Sequence, residues 1–492
     1  MIGANLAALQ VVVPLIGAPL CTLVGRGQRA WAFATAVTWA TFAMSIALMV
    51  TVLHDGPFSY FMGAWPPPWG IEYRVDFLSA FVLLFISGIA SVVMIFAYHS
   101  VQNEIAEDRQ RLFYTAYLLT LTGLLGMAIT GDAFNVFVFM EISSLSGYVL
   151  VSLGRDRRAL FASYQYLVLG TIGATFFMIG IGLLYMVTGT LNMADLATRI
   201  PPLGENLVVL AAFAFLTVGL SLKIALFPLH LWLPNAYTYA PSMVSALLAA
   251  SATKVGVYLL LRFVFDVFGV EFAVETYPLG RIFMALALVA AVMGSLVAIT
   301  QINVKRMLAY SSIAQIGYIV LGISFASKTG LTGAVVHLFN HAMMKGAMFL
   351  AIGCVMLRLG GTRFVDLQGL GKRMPMTMSA FVVAGISMIG VPGTVGFISK
   401  WYLVLAAIEA GLWPIAVVVM LTSLMAVVYI WRVVEAAWFM EPATSREIEE
   451  APWPMVTAAW ILAGACVVFG LYTDLTVGVA ATAAAMLLGG SG

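Results

Sequence analysis

The feature that most constrains this chain is the repeated return of apolar runs about 20 residues long, the length a helix needs to cross a bilayer, along nearly all of its 492 residues. With 62% hydrophobic and 9% charged residues, the chain cannot clothe itself in polar surface as a soluble domain does at about 25% charged. Its solvent must be lipid. The reading is an all-α polytopic membrane protein, a single integral membrane domain over 1–492 with about fourteen transmembrane helices. The spans lie near 4–24, 31–53, 76–98, 112–130, 133–153, 160–187, 207–228, 241–262, 282–300, 309–326, 331–357, 376–405, 411–438 and 453–473. The first run lacks a basic flank and a small-residue cleavage site, so it reads as a span and not a signal peptide. The Ala-rich tail 474–492 is expected to cover the surface or re-enter.

Several function classes drop out early. A net charge of +2 offers no basic patch for nucleic acid. Cys21, Cys354 and Cys466 lie far apart inside apolar runs, with no C-x-x-C or Cys/His grouping for zinc, haem or an iron–sulfur cluster. Neither a dinucleotide fingerprint nor a P-loop is present. No cofactor and no metal are therefore expected.

Lys and Arg set the orientation. Loops after odd-numbered spans carry fifteen of them, among them Arg26, Arg109, Arg157, Lys305, Arg363 and Arg446, whereas the other side carries Arg74, Arg199, Arg262, Arg281 and Lys328. Cytoplasmic loops are the basic ones, so both termini are expected outside, in a multi-pass protein of the cytoplasmic membrane. Four cations are left, Lys223, Lys254, Lys345 and Lys400, all within spans. A mid-membrane Lys costs about 2.5–3.5 kcal/mol on insertion scales. Snorkelling from a helix end could explain one, but four together call for a function.

The chain also repeats itself at an offset of about 170. Arg111-Leu112-Phe113 returns as Arg281-Ile282-Phe283, Gly147-Tyr148 as Gly317-Tyr318, and Val257-Tyr258 as Val428-Tyr429. Units 111–278 and 281–440 would each hold five spans, an odd number, so the second must enter the membrane from the opposite side. That is the inverted repeat of many transporters, which often carries broken helices in matching places. The seventh span has Lys223 followed by Pro228, and the twelfth has Gly390, Pro392, Gly393 and Gly396 before Lys400. Both are expected to break. A plain packing kink at Pro is the alternative at either place.

Glu141 sits mid-span, where a carboxylate calls for a cationic partner; Lys223 is the natural candidate, whether as a structural pair or as a proton carrier. His337, His341 and Lys345 follow one another at i, i+4 and i+8, one stripe on a helix of 3.6 residues per turn. Histidine both accepts and donates protons near neutrality, so the stripe reads as a relay. Interhelical hydrogen bonding is the plainer alternative, and two His with a Lys make a poor zinc site. Gln315, Asn340, Ser144, Ser251 and Thr253 could hold bridging waters.

With these residues the chain resembles the antiporter-like subunits shared by respiratory complex I and Mrp-type multisubunit cation/proton antiporters. The motifs are PLHLWLPNAYTYAPSMVSALLAASATKVGVY, NVKRMLAYSSIAQIGY, HLFNHAMMKGAMFL and GFISKW, in the family's order. The resemblance covers nearly the whole chain. It implies a proton path with Glu on the fifth span, Lys on the seventh and eighth, polar stations on the tenth and eleventh, and a terminal Lys or Glu on the twelfth. Those positions match Glu141, Lys223, Lys254, His337, His341, Lys345 and Lys400. Lys400 and the length resemble the Mrp D-type subunit. Asn235 stands where the family often has Asp, and Gln165 is the nearest polar residue where some relatives carry a Lys on the sixth span. The resemblance implies a subunit exchanging protons for Na⁺ or K⁺ beside other membrane subunits, and not an enzyme in itself. The alternatives are a proton-pumping subunit of a complex I-like or hydrogenase-type assembly and a scaffold with a dead pathway, which the full charged row argues against.

Overall fold

The computed structural model describes residues 2–25, 27–442 and 447–489; Arg26 and Arg446, counted above for orientation, lie outside them. The helices are α1 (Ile2–Val24), α2 (Gln28–Asp55), α3 (Phe77–Glu104), α4 (Glu107–Ile129), α5 (Ala133–Ser152), α6 (Arg158–Thr188), α7 (Met193–Arg199), α8 (Leu207–Ile224), α9 (Trp232–Tyr239), α10 (Ser242–Ala250), α11 (Ala252–Leu261), α12 (Leu279–Thr300), α13 (Val304–Ser324), α14 (Lys328–Leu359), α15 (Leu370–Arg373), α16 (Pro375–Ile389), α17 (Val395–Glu409), α18 (Trp413–Val434), α19 (Trp453–Leu471) and α20 (Asp474–Leu487). Between α2 and α3 a hairpin pairs β1 (Phe58–Phe61) antiparallel with β2 (Glu72–Val75).

Thirteen helical segments among the described residues are long and apolar enough to cross a membrane, α10, α11 and the turn beyond them counting as one, Ser242–Val267. The remaining expected span, 376–405, corresponds to the two shorter helices α16 and α17. The protein is therefore a multi-pass, mostly helical membrane protein. Its helices start where side chains satisfy the orphan N–H groups of a first turn. Asp76 and Ser79 form a capping box on α3, Asp132 caps α5, Asn303 caps α13 and Ser327 caps α14.

Both anticipated breaks are present. α8 stops at Ile224, Ala225 turns left-handed at φ 57°, and the chain resumes helix at Trp232. The expected span 376–405 is two helices separated at residues 390–394, with Gly390 and Gly393 at φ 92° and 83°. A third break, at Ser251 between α10 and α11, has no Pro or Gly to mark it in the sequence. The Ser251 hydroxyl donates back to the Leu247 carbonyl at 2.6 Å, a local bond that competes with the helix ladder.

α14 is the hub. It packs against α3, α10, α13, α16, α17, α19 and α20 and is buried along most of its length. The tail forms α20, which lays Val479, Ala480, Ala483, Ala484 and Leu487 against the bundle, over α14 and α3.

Local details recur at an offset of 171. An isolated bridge joins Asp132 to Asn192, and another joins Asn303 to Arg363. Ala133 N donates to Leu191 O and Val304 N to Thr362 O, both at 2.8 Å. α6 and α14 end on left-handed Gly189 and Gly360. The first bridge adjoins a cavity of about 300 Å³ among the even-numbered connections, lined by Glu72, Thr130, Gly131, Met193 and Arg262. The second borders a cavity of about 580 Å³ among the odd-numbered ones, lined by Glu104, Arg158, Asn303 and Arg363. The two units thus present the same bridge at opposite ends of the bundle, as an inverted repeat would. Arg157 and Lys328, the matched starts of α6 and α14, test it. A single Cys placed at Arg157 is expected to react with an impermeant thiol reagent only from the cytoplasm, and one at Lys328 only from outside. Labelling of both from one side would reject the inversion, and exchanged sides would reject the orientation.

Candidate functional site

Each buried Lys is held by backbone carbonyls or hydroxyls of the surrounding helices. Lys400 Nζ donates to Met388 O and Ile389 O, both at 2.9 Å. These carbonyls end α16 and point along its dipole, the end that favours a cation. Their position depends on Gly396, where a Cβ would stand 1.8 Å from Ser387 O; any larger residue would push the two halves of the broken helix apart. Lys254, at most 1% exposed, donates to Ala249 O beside the Ser251 break and lies 3.4 Å from Thr253 Oγ1. Lys345 donates to Leu308 O at 2.9 Å and Ser311 Oγ at 2.5 Å on α13. Lys223 ends α8 and donates to Ser144 Oγ at 2.6 Å.

The histidines join these stations. His337 Nδ1 meets Ser399 Oγ at 2.7 Å, one residue before Lys400. Its ring faces that of His341 with centroids 6.1 Å apart and meets the edge of Tyr318 at 5.7 Å. Lys400 Nζ lies 5.2 Å from the centroid of that same Tyr318 ring. His341 is fully buried and neither ring nitrogen meets a protein hydrogen-bond partner. A buried polar atom normally has one, so both nitrogens of this imidazole stand unsatisfied by the described protein groups. His337, His341 and Lys345 follow one another along α14, Lys400 meets them through Ser399 and Tyr318, and Lys254 lies on α11, which touches α14. Lys254, Lys345, His341, His337 and Lys400 therefore form one group around α14.

Glu141 and Lys223 lie apart from it, half-buried toward α5 and α8. The direct ion pair expected between them is not made: no described carboxylate lies within salt-bridge distance of Lys223, although each feels the other's charge. Ser144 is one turn beyond Glu141 on the same helix and takes the ammonium instead. The stem of Lys223 packs against α11. Gly256 of α11 faces it, and a Cβ there would come within 3.3 Å of Lys223 Cγ and 2.8 Å of Ile224 Cγ2.

A row of buried amines and imidazoles beside two broken helices agrees with a family match. The family model described as NADH:quinone oxidoreductase/Mrp antiporter, TM, matches residues 130–426. The chain belongs to this family. It is 40% identical to the N subunit of the NADH-quinone oxidoreductase of Desulforudis audaxviator, over 96% of both chains. It is 30% identical to the D-type polypeptide of the Na(+)/H(+) antiporter of Bacillus subtilis, over 96% of this chain and 94% of that one. Among solved structures, a chain of the membrane-bound sulfane sulfur reductase, an archaeal respiratory membrane complex, superimposes with a TM-score of 0.89 at 34% identity, covering 98% of this chain and 97% of that one. Likeness to the D-type antiporter polypeptide is thus real but shared with respiratory relatives.

The two departures from the family's pattern meet each other. Asn235 Nδ2 donates to Gln165 Oε1 at 2.7 Å, a neutral amide pair. Sequence reading misses two polar clusters. Arg262 is buried and pairs with both Asp76 and Asp266, the latter at 2.6 Å, while its Nε donates to Tyr258 Oη at 3.0 Å. Lys305 is 3% exposed and donates to Ala240 O at 3.1 Å. Both read as loop charges in the sequence because they sit at the ends of apolar runs. One comes from each side of the orientation tally, so the bias survives. The spacing of Lys254, Tyr258, Arg262 and Asp266, four residues apart each time, is the available signal for the first.

Proposed function

We propose that this chain carries protons across the membrane along the row Glu141, Lys223, Lys254, Lys345, His341, His337 and Lys400, as one membrane subunit of a larger complex. The observation that carries this reading is the interior group around α14. Three amines and two imidazoles lie together in the bundle, solvated by carbonyls, hydroxyls and a broken helix, with no described carboxylate in ion-pair contact with any of them. Groups that cost this much to bury are retained where they exchange protons. The matched units at opposite ends of the bundle support an inverted repeat, with 111–278 and 281–440 reaching the row from the two sides.

What drives or balances the proton movement depends on the partner subunits. The 40% identity to the oxidoreductase N subunit supports a redox-driven assembly, in which electron transfer elsewhere moves protons here. The likeness to the D-type antiporter polypeptide supports exchange against Na⁺ or K⁺. On identity the redox-driven reading comes first, reversing the order that Lys400 and chain length suggest. In either case the chain supplies the path and no redox chemistry of its own, and both termini lie outside. Purification from native membrane with bound partners is the test. Co-purifying iron–sulfur or quinone-reducing subunits would establish the first assembly, and small membrane subunits with Na⁺- or K⁺-dependent dissipation of a pH gradient the second. A complex that moves no protons under either drive would reject the proposal.

A further inference from the structure

The cavity among the odd-numbered connections is polar, and a buried lysine lies on its floor. It measures about 580 Å³ and is lined by five cationic and three acidic side chains. Lys305 reaches its floor from the first turn of α13. Its Nζ donates to Ala240 O at 3.1 Å and lies 3.4 Å from Ser245 Oγ. Glu104 stands across from it, held by Ser242 N at 2.9 Å and Ser100 Oγ at 2.7 Å, close enough for its charge to act on Lys305. Three residues further along α13, Leu308 O accepts from Lys345, and Ser311 Oγ accepts from the same amine. Less than one helical turn, about 5.4 Å of rise, therefore separates the start of the vestibule floor from the carbonyl that solvates the row. Lys305 and Lys345 thus meet neighbouring turns of the same helix, and water passes protons between polar groups too far apart for a direct hydrogen bond.

We propose that Lys305 is the proton-uptake station of this chain, an inference that rests on the row being a proton path. A proton from vestibule water binds the neutral Lys305 amine. The resulting ammonium, countered by Glu104, then releases it through water to the neutral Lys345 amine, which restores Lys305. No electrons move and no bond other than N–H and O–H changes. A purely structural Lys305, tying the α9–α10 turn to α13, would need only its charge and its hydrogen bonds.

Thiol chemistry separates the two roles. In the native complex, with Cys21, Cys354 and Cys466 replaced by Ala and parental proton flux verified, Lys305→Cys is expected to lower flux about a hundredfold, the low end of the scale of a lost proton-transfer group. An impermeant methanethiosulfonate should reach it only from the side of the odd-numbered connections, as read in everted against right-side-out vesicles. The 2-aminoethyl reagent rebuilds a titratable amine and should restore at least half of the flux; the trimethylammonium reagent, of equal charge but without a proton, should restore none. Lys305→Arg should assemble and remain inactive. Equal rescue by both reagents, full flux in Lys305→Arg, or no labelling from the odd side would overturn the inference. Lys400→Arg is the control in the same vesicles. If it is inactive while Lys305→Arg is fully active, the uptake station falls and the row stands. If Lys400→Arg is fully active, the row reading fails and the uptake station falls with it.

Discussion

Lys400→Met and Lys400→Arg are both expected to lower proton flux by about a hundredfold, the low end of what a positioned proton-transfer group contributes. The two substitutions remove different properties. Methionine keeps an apolar stem of similar length but has no proton and leaves Met388 O and Ile389 O without their donor. Arginine keeps a permanent charge and has donors to spare for both carbonyls, so the break between α16 and α17 should hold. Guanidinium does not give up its proton in proteins, so a relay stops there. A structural ammonium would predict the opposite pattern, with arginine active and methionine not. Lys400→His and Lys400→Glu remain titratable and should keep part of the flux. The measurement is the proton gradient formed or dissipated by vesicles holding the whole complex at matched expression. Wild-type flux in Lys400→Arg would remove Lys400 from the path.

How much of this is legible in the sequence follows from where each charge lies. Lys254, Lys345 and His341 stand in the middle of long apolar runs, so their burial can be read before any coordinates. The breaks before Lys400 and after Lys223 are legible because Pro and Gly mark them; the break at Ser251 is not, because its cause is a hydroxyl bonding to its own helix. Lys305 and Arg262 sit at the edges of apolar runs, where a charge usually belongs to a loop. Only packing shows that one lies under the α9–α10 turn and the other between Asp76 and Asp266. The Glu141–Lys223 contact fails for a geometric reason: period alone puts Ser144 and Glu141 on one face but does not say which of them the ammonium will reach. Tyr318, which faces both His337 and Lys400, carries no signal, because an aromatic in a span is ordinarily core.

That open contact makes Glu141 the second decisive position. Glu141→Ala is expected to lower flux by roughly tenfold or more, one pKa unit of lost charge coupling being worth about that factor, while the protein still inserts and assembles. Lys223 keeps its hydrogen bond to Ser144 in this variant, so its position should hold and the loss would report the missing carboxylate rather than a collapsed site. Glu141→Gln keeps shape and hydrogen bonding without the charge and should behave like the Ala variant. Glu141→Asp keeps the charge at shorter reach and should be milder. Ser144→Ala is the complementary change. It removes one hydrogen bond, worth about 1 kcal/mol net, but leaves both charges, and its loss should be correspondingly smaller than that of Glu141→Ala. If Glu141 were only a structural partner, Gln would rescue and Ala would lower assembly and flux together. If Ser144 alone positioned a passive Lys223, Ser144→Ala would be the more damaging of the two. Wild-type flux in Glu141→Ala vesicles would take this carboxylate, and the coupling it offers Lys223, out of the proton path.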